Sequence, residues 1–232
     1  MTEISELSLF FPTYNEEKNI KKVVTNAKKV LEKVTDRWEI IIVNDGSKDG
    51  TRNVAEGLAK TDRRIRVVNH KVNKGYGGAL KSGFKSARYN WVAFTDSDGQ
   101  FDFAEIIKFI EHKNHADLIL GYRLKRADSL MRKVYTYVWG FIPFILWGLN
   151  VRDYSCGFKL IKKKVYNEIQ PLIGEEKVTQ IEMLIKAKRA GFRFEEVGVN
   201  HYPREYGKQT GANIKVIMKS FFDLVKLWQK LH

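Results

Sequence analysis

The chain has 232 residues, 44% of them apolar and 12% aromatic, enough to bury a sizeable core and incompatible with a disordered chain. Lys and Arg number 41 against 27 Asp and Glu, a formal charge of +14, so a phosphorylated or polyanionic partner is expected: nucleotide, nucleic acid or anionic lipid. The lone Cys156 excludes a disulfide framework and no Cys/His cluster has zinc spacing, so a reducing, intracellular compartment is expected. Met1 to Phe11 lacks the pattern of a signal peptide, and no segment reaches about eighteen uninterrupted apolar residues, so no membrane span is expected.

In chain order, Leu7 to Phe11 reads as a short strand stopped by Pro12, with Asn15 as N-cap of the helix that follows. From Glu16 that helix repeats Ile20, Val23, Val24, Ala27, Val30, Leu31 and Val34 at spacings of three and four, a stripe that packs on a sheet. Trp38 to Val43 is a second strand, and Asn44 to Gly50 turns into another helix. Ile65 to Val68 is a third strand, and the glycine-rich Asn73 to Gly78 opens a helix whose small Ala79, Gly83 and Ala87 allow close packing. Trp91 to Thr95 is the fourth. Each strand then feeds a polar loop at one edge: PTYNE, NDGSKDG, NKGYGG and DSDGQ. The predicted fold class is α/β, a doubly wound, mostly parallel central sheet flanked by helices, with a nucleotide site at that edge. GYGG is neither a P-loop nor a full GxGxxG, which argues against an ATPase or a dinucleotide enzyme.

The fourth strand ends on Asp96 and Asp98. These carboxylates, with the Gln100 amide, could present hard oxygens to Mg²⁺ or Mn²⁺, or they could form an Asp-Gly turn that caps the next helix.

The ordered set FPTYNEEKNI, VNDGSKDGT, NKGYGGALKSGFKSA and FTDSDGQFD resembles glycosyltransferase family 2, with its GT-A fold, and within it the dolichol-phosphate or polyprenyl-phosphate mannosyltransferase branch. The resemblance covers nearly the whole chain. It implies that the first two loops hold the base and ribose of a nucleotide sugar through Pro12, Tyr14, Glu16 and Asp45, with Lys74, Gly75, Asp96 and Ser97 completing the nucleotide contacts. It implies a metal site of Asp96, Asp98 and Gln100. Asn44 departs from the Asp usual at that position, which is tolerable if Asp45 is the base-reading acid.

The second half is expected to supply the acceptor side. Asp117 to Leu120 is a strand ending in Gly121, Tyr122 and Arg123, similar to the family's GxR element, and Arg123 could reach a phosphate. Ser129 to Asn150 is rich in Tyr, Trp and Phe, broken by Gly140, Pro143 and Gly148, and suits either a buried helix or a bilayer headgroup region. RDYSCGFKLIKK resembles a signature of the same branch, departing from it at Ser155, Cys156 and Lys159, and sets the carboxylate of Asp153 near the acceptor. TQIEMLIKAKRA matches a family helix in which Glu182 either orients the acceptor site or satisfies a buried arginine. Phe194 to Val199 is a strand leading to HYPREYGKQTGA, where Arg204 and Lys208 are the cations the resemblance sets on the diphosphate. From Ala212 a basic amphipathic helix follows, suited to the protein's own core or to an anionic membrane surface.

The expected organisation is a GT-A domain over residues 1–211, with a nucleotide-sugar half to about 120 and an acceptor half from 121, then a C-terminal helix over 212–232. The resemblance implies transfer of a hexose, mannose or glucose, with inversion, from a GDP- or UDP-sugar to a polyprenyl or dolichyl phosphate, with Mg²⁺ or Mn²⁺ as cofactor and Asp98 and Asp153 as the catalytic carboxylates. A polyprenyl monophosphate is already mostly dianionic, with a second pKa near ~6, and needs no base. A hydroxyl acceptor needs one, worth about a hundredfold, which Asp153 would provide. Peripheral attachment at the cytoplasmic face of a membrane is expected, and no nucleic-acid partner. The alternatives are a transferase acting on a glycan hydroxyl and a non-catalytic polyanion-binding protein.

Overall fold

The computed structural model describes residues 4–124, 142–176, 178–207 and 214–231, the last stretch with side chains from 222 onward. Lys208, the aromatic segment before residue 142, and the side chains of Ile214, Ile217, Met218 and Phe221 lie outside the described residues.

Strand β1 (Glu6–Thr13) is buried along its whole length and alternates its side chains between two cores. Leu7, Leu9 and Phe11 face the layer containing helix α1 (Glu17–Val34), whereas Phe10 faces the opposite layer. The α1 stripe is as predicted, with Ile20, Val24, Ala27, Leu31 and Val34 buried. Two expectations change at the start of the chain. β1 runs through Pro12 to Thr13, because its pairing with β4 ends at Phe10 and a residue lacking an N–H is tolerated beyond that point. The α1 N-cap is Glu16 rather than Asn15, which adopts φ +56° and instead accepts from the Lys48 amide at 2.8 Å.

Next come β2 (Arg37–Asn44), α2 (Thr51–Thr61), β3 (Ile65–Asn69), α3 (Gly75–Ser86) and β4 (Trp91–Phe94). A Cβ on Gly83 would lie 2.2 Å from the Phe10 ring, so only glycine lets α3 approach the sheet this closely. After β4 follow a 3₁₀ turn (Phe103–Glu105), α4 (Ile106–Glu111), β5 (Leu118–Arg123), a helical stretch over 142–147 (α5), β6 (Lys159–Lys162), α6 (Lys163–Glu168), α7 (Val178–Arg189), β7 (Phe194–Val199) and α8 (Ile214–Leu231).

The described strands form one sheet in the order β3-β2-β1-β4-β6-β5-β7. All pairs are parallel except those of β6 with β4 and with β5. Six strands therefore end at one edge, and β6, whose Lys159 pairs with Phe94, begins there. That single reversal inserts the segment 152–158 beside the exit of β4. It was not expected from the sequence. In α8, Leu224 and Leu227 are buried on the α7 side, while Phe222, Val225 and Trp228 are exposed. Among the described residues no helix is long and apolar enough to cross a membrane.

Candidate active site

At the exit of β4, Asp96 and Asp98 stand on the same edge as the loops after β1, β2, β3, β5 and β7. The two carboxylates have different surroundings. Asp96 accepts a hydrogen bond from Tyr76 at 3.0 Å. Its other side lies against Gly157, where a Cβ would stand 2.2 Å from Oδ2, so glycine is required for the 152–158 segment to pass. Asp98 accepts from the Gln100 amide at 3.1 Å, and its Oδ2 is 3.6 Å from Arg204 Nη1. Burial, then the neighbouring charge of Asp96, push Asp98 up to about 7, against the pull of the Gln100 amide and of Arg204.

Arg204 arrives on the loop after β7 and also pairs with Glu16 at the start of α1. Glu16 is buried, which raises its pKa against the opposing hydrogen bonds of Asn19 (2.7 Å) and Arg204. One guanidinium thus spans carboxylates from the first and fourth loops. The post-β7 loop is fastened at further points: Tyr202 and Gln100 exchange bonds of 2.9 Å in both directions, Lys22 pairs with Glu205 at 2.7 Å, and Asn19 donates to the Tyr206 carbonyl at 3.3 Å. The Gln100 amide nitrogen is taken by Tyr202, so only its amide oxygen suits a cation.

The residue types fit a divalent ion. Two hard carboxylates share a buried corner, Asp98 is driven toward protonation by burial and then by the charge of Asp96, and a guanidinium already stands within reach of Asp98. Among the described residues no three His, Cys, Asp or Glu side chains converge as a metal cage. A cation here would complete its shell with oxygens of a bound ligand and water, as Mg²⁺ commonly does.

The first three loops form the adjoining wall. Asp45 is buried and accepts from His70 at 2.6 Å and from the Lys74 amide at 2.8 Å, and the far nitrogen of His70 lies 2.8 Å from the Ser82 hydroxyl. His70 thereby fixes Asp45, a role not anticipated from the sequence, although its place immediately after β3 was a usable signal. Asn44 bonds Asn69 at 2.8 Å and the Ser47 amide at 3.2 Å, so it holds the turn together. Tyr14 and Lys74 are exposed at the rim, Gly75 opens α3 at φ +75°, and the Ser97 hydroxyl donates to the Pro12 carbonyl at 2.9 Å.

At the exit of β5, Arg123 meets Asp153 from the segment before β6. Arg123 Nε and Nη2 donate to the two Asp153 oxygens at 2.8 and 3.0 Å, and Nη2 also donates to Ser155 at 2.9 Å. Both side chains are largely buried, at 12% and 4% exposure. Glu182 is fully buried and receives the Ile173 and Gly174 amides, at 2.9 and 2.6 Å, together with Lys186 at 2.7 Å. Its partners are a lysine and a loop, and no arginine is among them. Lys159 is buried, donating to Tyr154 O at 3.3 Å, to Cys156 O and to Gln180 Oε1 at 2.5 Å. Burial lowers its pKa, and burial pushes the Cys156 thiol up to about 12, which makes that cysteine inert.

Known proteins share this architecture. The chain is 31% identical, over 94% of both chains, to a UDP-N-acetylglucosamine–dolichyl-phosphate N-acetylglucosaminyltransferase of Methanococcus voltae. It is 28% identical to a dolichyl-phosphate beta-glucosyltransferase of Saccharomyces cerevisiae, covering 95% of this chain and 74% of the yeast one. It is 30% identical to a dodecaprenyl-phosphate galacturonate synthase of Rhizobium johnstonii, covering 87% of this chain but only 60% of that longer relative. The fold is also that of glucosyl-3-phosphoglycerate synthase from Mycobacterium tuberculosis, solved with Mn²⁺, UDP and phosphoglyceric acid, at a TM-score of 0.75 and 17% identity over 97% of this chain and 78% of that one. The profile of glycosyl transferase family 2 matches residues 8–170, from β1 to just past α6, and the chain belongs to that family.

Proposed function

We propose that the chain transfers a hexose from a nucleoside diphosphate sugar to a polyprenyl or dolichyl phosphate, with inversion, at a membrane surface. The observation that carries this reading is the Arg123–Asp153 pair: the carboxylate best placed to serve as a base for a hydroxyl acceptor is bound on both oxygens by a buried guanidinium. An acceptor phosphate, ionised beforehand, needs no base. The relatives named for dolichyl-phosphate and dodecaprenyl-phosphate products support the same acceptor class.

In this reading Asp45, fixed by His70, faces the nucleoside, and Asp96, Asp98 and the Gln100 oxygen would hold Mg²⁺ or Mn²⁺. The bound ion would neutralise charge on the departing nucleoside diphosphate. Arg204 leaves Glu16 and Asp98 for the same charge when donor enters. The acceptor oxygen attacks the anomeric carbon, the bond to the diphosphate breaks with its electron pair, and no proton moves. Arg123 positions the acceptor side through Asp153 and Ser155. Adjacent residues near the end of α7 tie down both exposed apolar segments: Lys188 donates to Gly148 O, just after α5, and Arg189 donates to Leu231 O in α8 at 2.9 Å. Phe144, Ile145, Phe222 and Trp228 are exposed on these two segments, which supports contact with lipid headgroups.

The test supplies labelled GDP- or UDP-hexose, Mn²⁺ or Mg²⁺, and vesicles carrying either a polyprenyl phosphate or the corresponding polyprenol. Label should enter the lipid phosphate and not the alcohol. Transfer to the alcohol with none to the phosphate would overturn the reading in favour of a hydroxyl acceptor.

A further inference from the structure

A buried lysine with no counter-carboxylate in hydrogen-bond contact is costly, and the proposed reaction gives Lys159 no direct task. Its partners define a direction. Because the ammonium only donates, the Gln180 amide must turn its oxygen toward Lys159, and its nitrogen then faces the Tyr76 hydroxyl at a long 3.5 Å. That nitrogen only donates, so the Tyr76 hydroxyl hydrogen is left for Asp96 Oδ1, which it meets at 3.0 Å. Each link takes its orientation from the one before.

We infer that Lys159, Gln180 and Tyr76 form a one-way chain of donors, drawn from β6, α7 and α3, whose function is to position the Asp96 carboxylate for the cation. Tyr76 fixes one oxygen of Asp96, and the backbone at Gly157 bounds the other. Asp98, by contrast, has an arginine that can leave. The corner therefore combines one carboxylate set before any ligand arrives with one that exchanges partners. All three chain members are positioning residues, acting on the cation through Asp96. The inference rests on the proposed cation site.

The experiment titrates the full chain with Mn²⁺ alone, followed by the EPR signal of free Mn²⁺, alongside Asp98→Asn, Tyr76→Phe, Gln180→Met and the Tyr76→Phe/Gln180→Met double variant. Asp98→Asn should lose binding. Tyr76→Phe keeps the ring and removes one hydrogen bond to a charged group, so Mn²⁺ affinity should fall about tenfold. Gln180→Met, one link further away, should lose about threefold. The double variant should match Tyr76→Phe alone, because both changes act along one path, whereas two separate packing effects would add. The inference is overturned, with the cation site intact, if Asp98→Asn loses Mn²⁺ while Tyr76→Phe binds it like the unaltered chain, or if the double variant shows the sum of the two losses. Absence of Mn²⁺ binding by the unaltered chain would overturn the cation site and the inference together.

Discussion

At the exits of β1, β2 and β4 the carboxylates of Glu16, Asp45 and Asp98 are held by groups from other loops: Arg204 for Glu16 and Asp98, His70 and the Lys74 amide for Asp45. In the second half the charges close on one another, Arg123 with Asp153 at the end of β5, Glu182 with Lys186 along α7, and Asp117 with Lys162 at the opposite edge of the sheet. The first arrangement keeps charge at a sheet edge where a ligand can compete for it. The second consumes charge in building the walls. In a shared fold, then, the same residue types are open to a ligand or serve as scaffold according to whether their partners can be displaced.

Substitutions on the two sides should therefore fail differently. The largest effect is expected for Asp98→Ala, which should lower hexose transfer by about 10³-fold or more without lowering the thermal midpoint, since a buried carboxylate pushed up to about 7 is removed. Transfer assays and calorimetry on one preparation check this, and an unfolded variant would erase the distinction between the two sides. Glu182→Ala should do the reverse. It strands Lys186 and two amides, costs about 3–5 kcal/mol and lowers the midpoint by roughly 10 °C. A variant that melts normally but transfers nothing would move Glu182 to the ligand-facing group.

Asp117→Asn is the smallest of the three. Burial of Asp117 opposes its ionisation, yet hydrogen bonds from Lys162, the Arg193 amide and Lys164 outweigh burial and bring its pKa down to about 2. A carboxylate pKa depressed by folding contributes stability that is complete above its unfolded value near ~4 and vanishes as pH falls through the folded one, here about 2 kcal/mol at neutral pH. Chemical denaturation of both proteins from pH 7 to pH 2 should show the two stabilities converging at the acid end. A constant gap would show that packing, not charge, is what Asp117 contributes.

Much of the first half was legible because its signals are local. The α1 stripe repeats at helical spacing, and each loop follows directly on an apolar run, so β1 to β4 and the acidic pair at Asp96 and Asp98 could be placed without knowing any contact. The reversal at β6 was not legible. Its four residues, KLIK, begin and end on lysine, and Lys159 is among the most buried residues of the chain because the Tyr154 and Cys156 carbonyls of the preceding loop and the Gln180 side chain surround it. Pro12 looked like a stop because nothing local reveals that β4 has already ended beside it. His70, Tyr76 and Gln180 escaped notice for a related reason: each matters through one atom of a partner 20 to 104 residues away. Arg204 was found by resemblance, but its present attachment to Glu16 and Asp98 was not.

That attachment joins residues 188 positions apart. During synthesis the ribosome releases β1 to β4, with Asp96 and Asp98 side by side, well before the arginine that later pairs with Asp98 has been polymerised. The nascent first half thus carries an acidic corner whose guanidinium partner reaches it only after the last strand has been made.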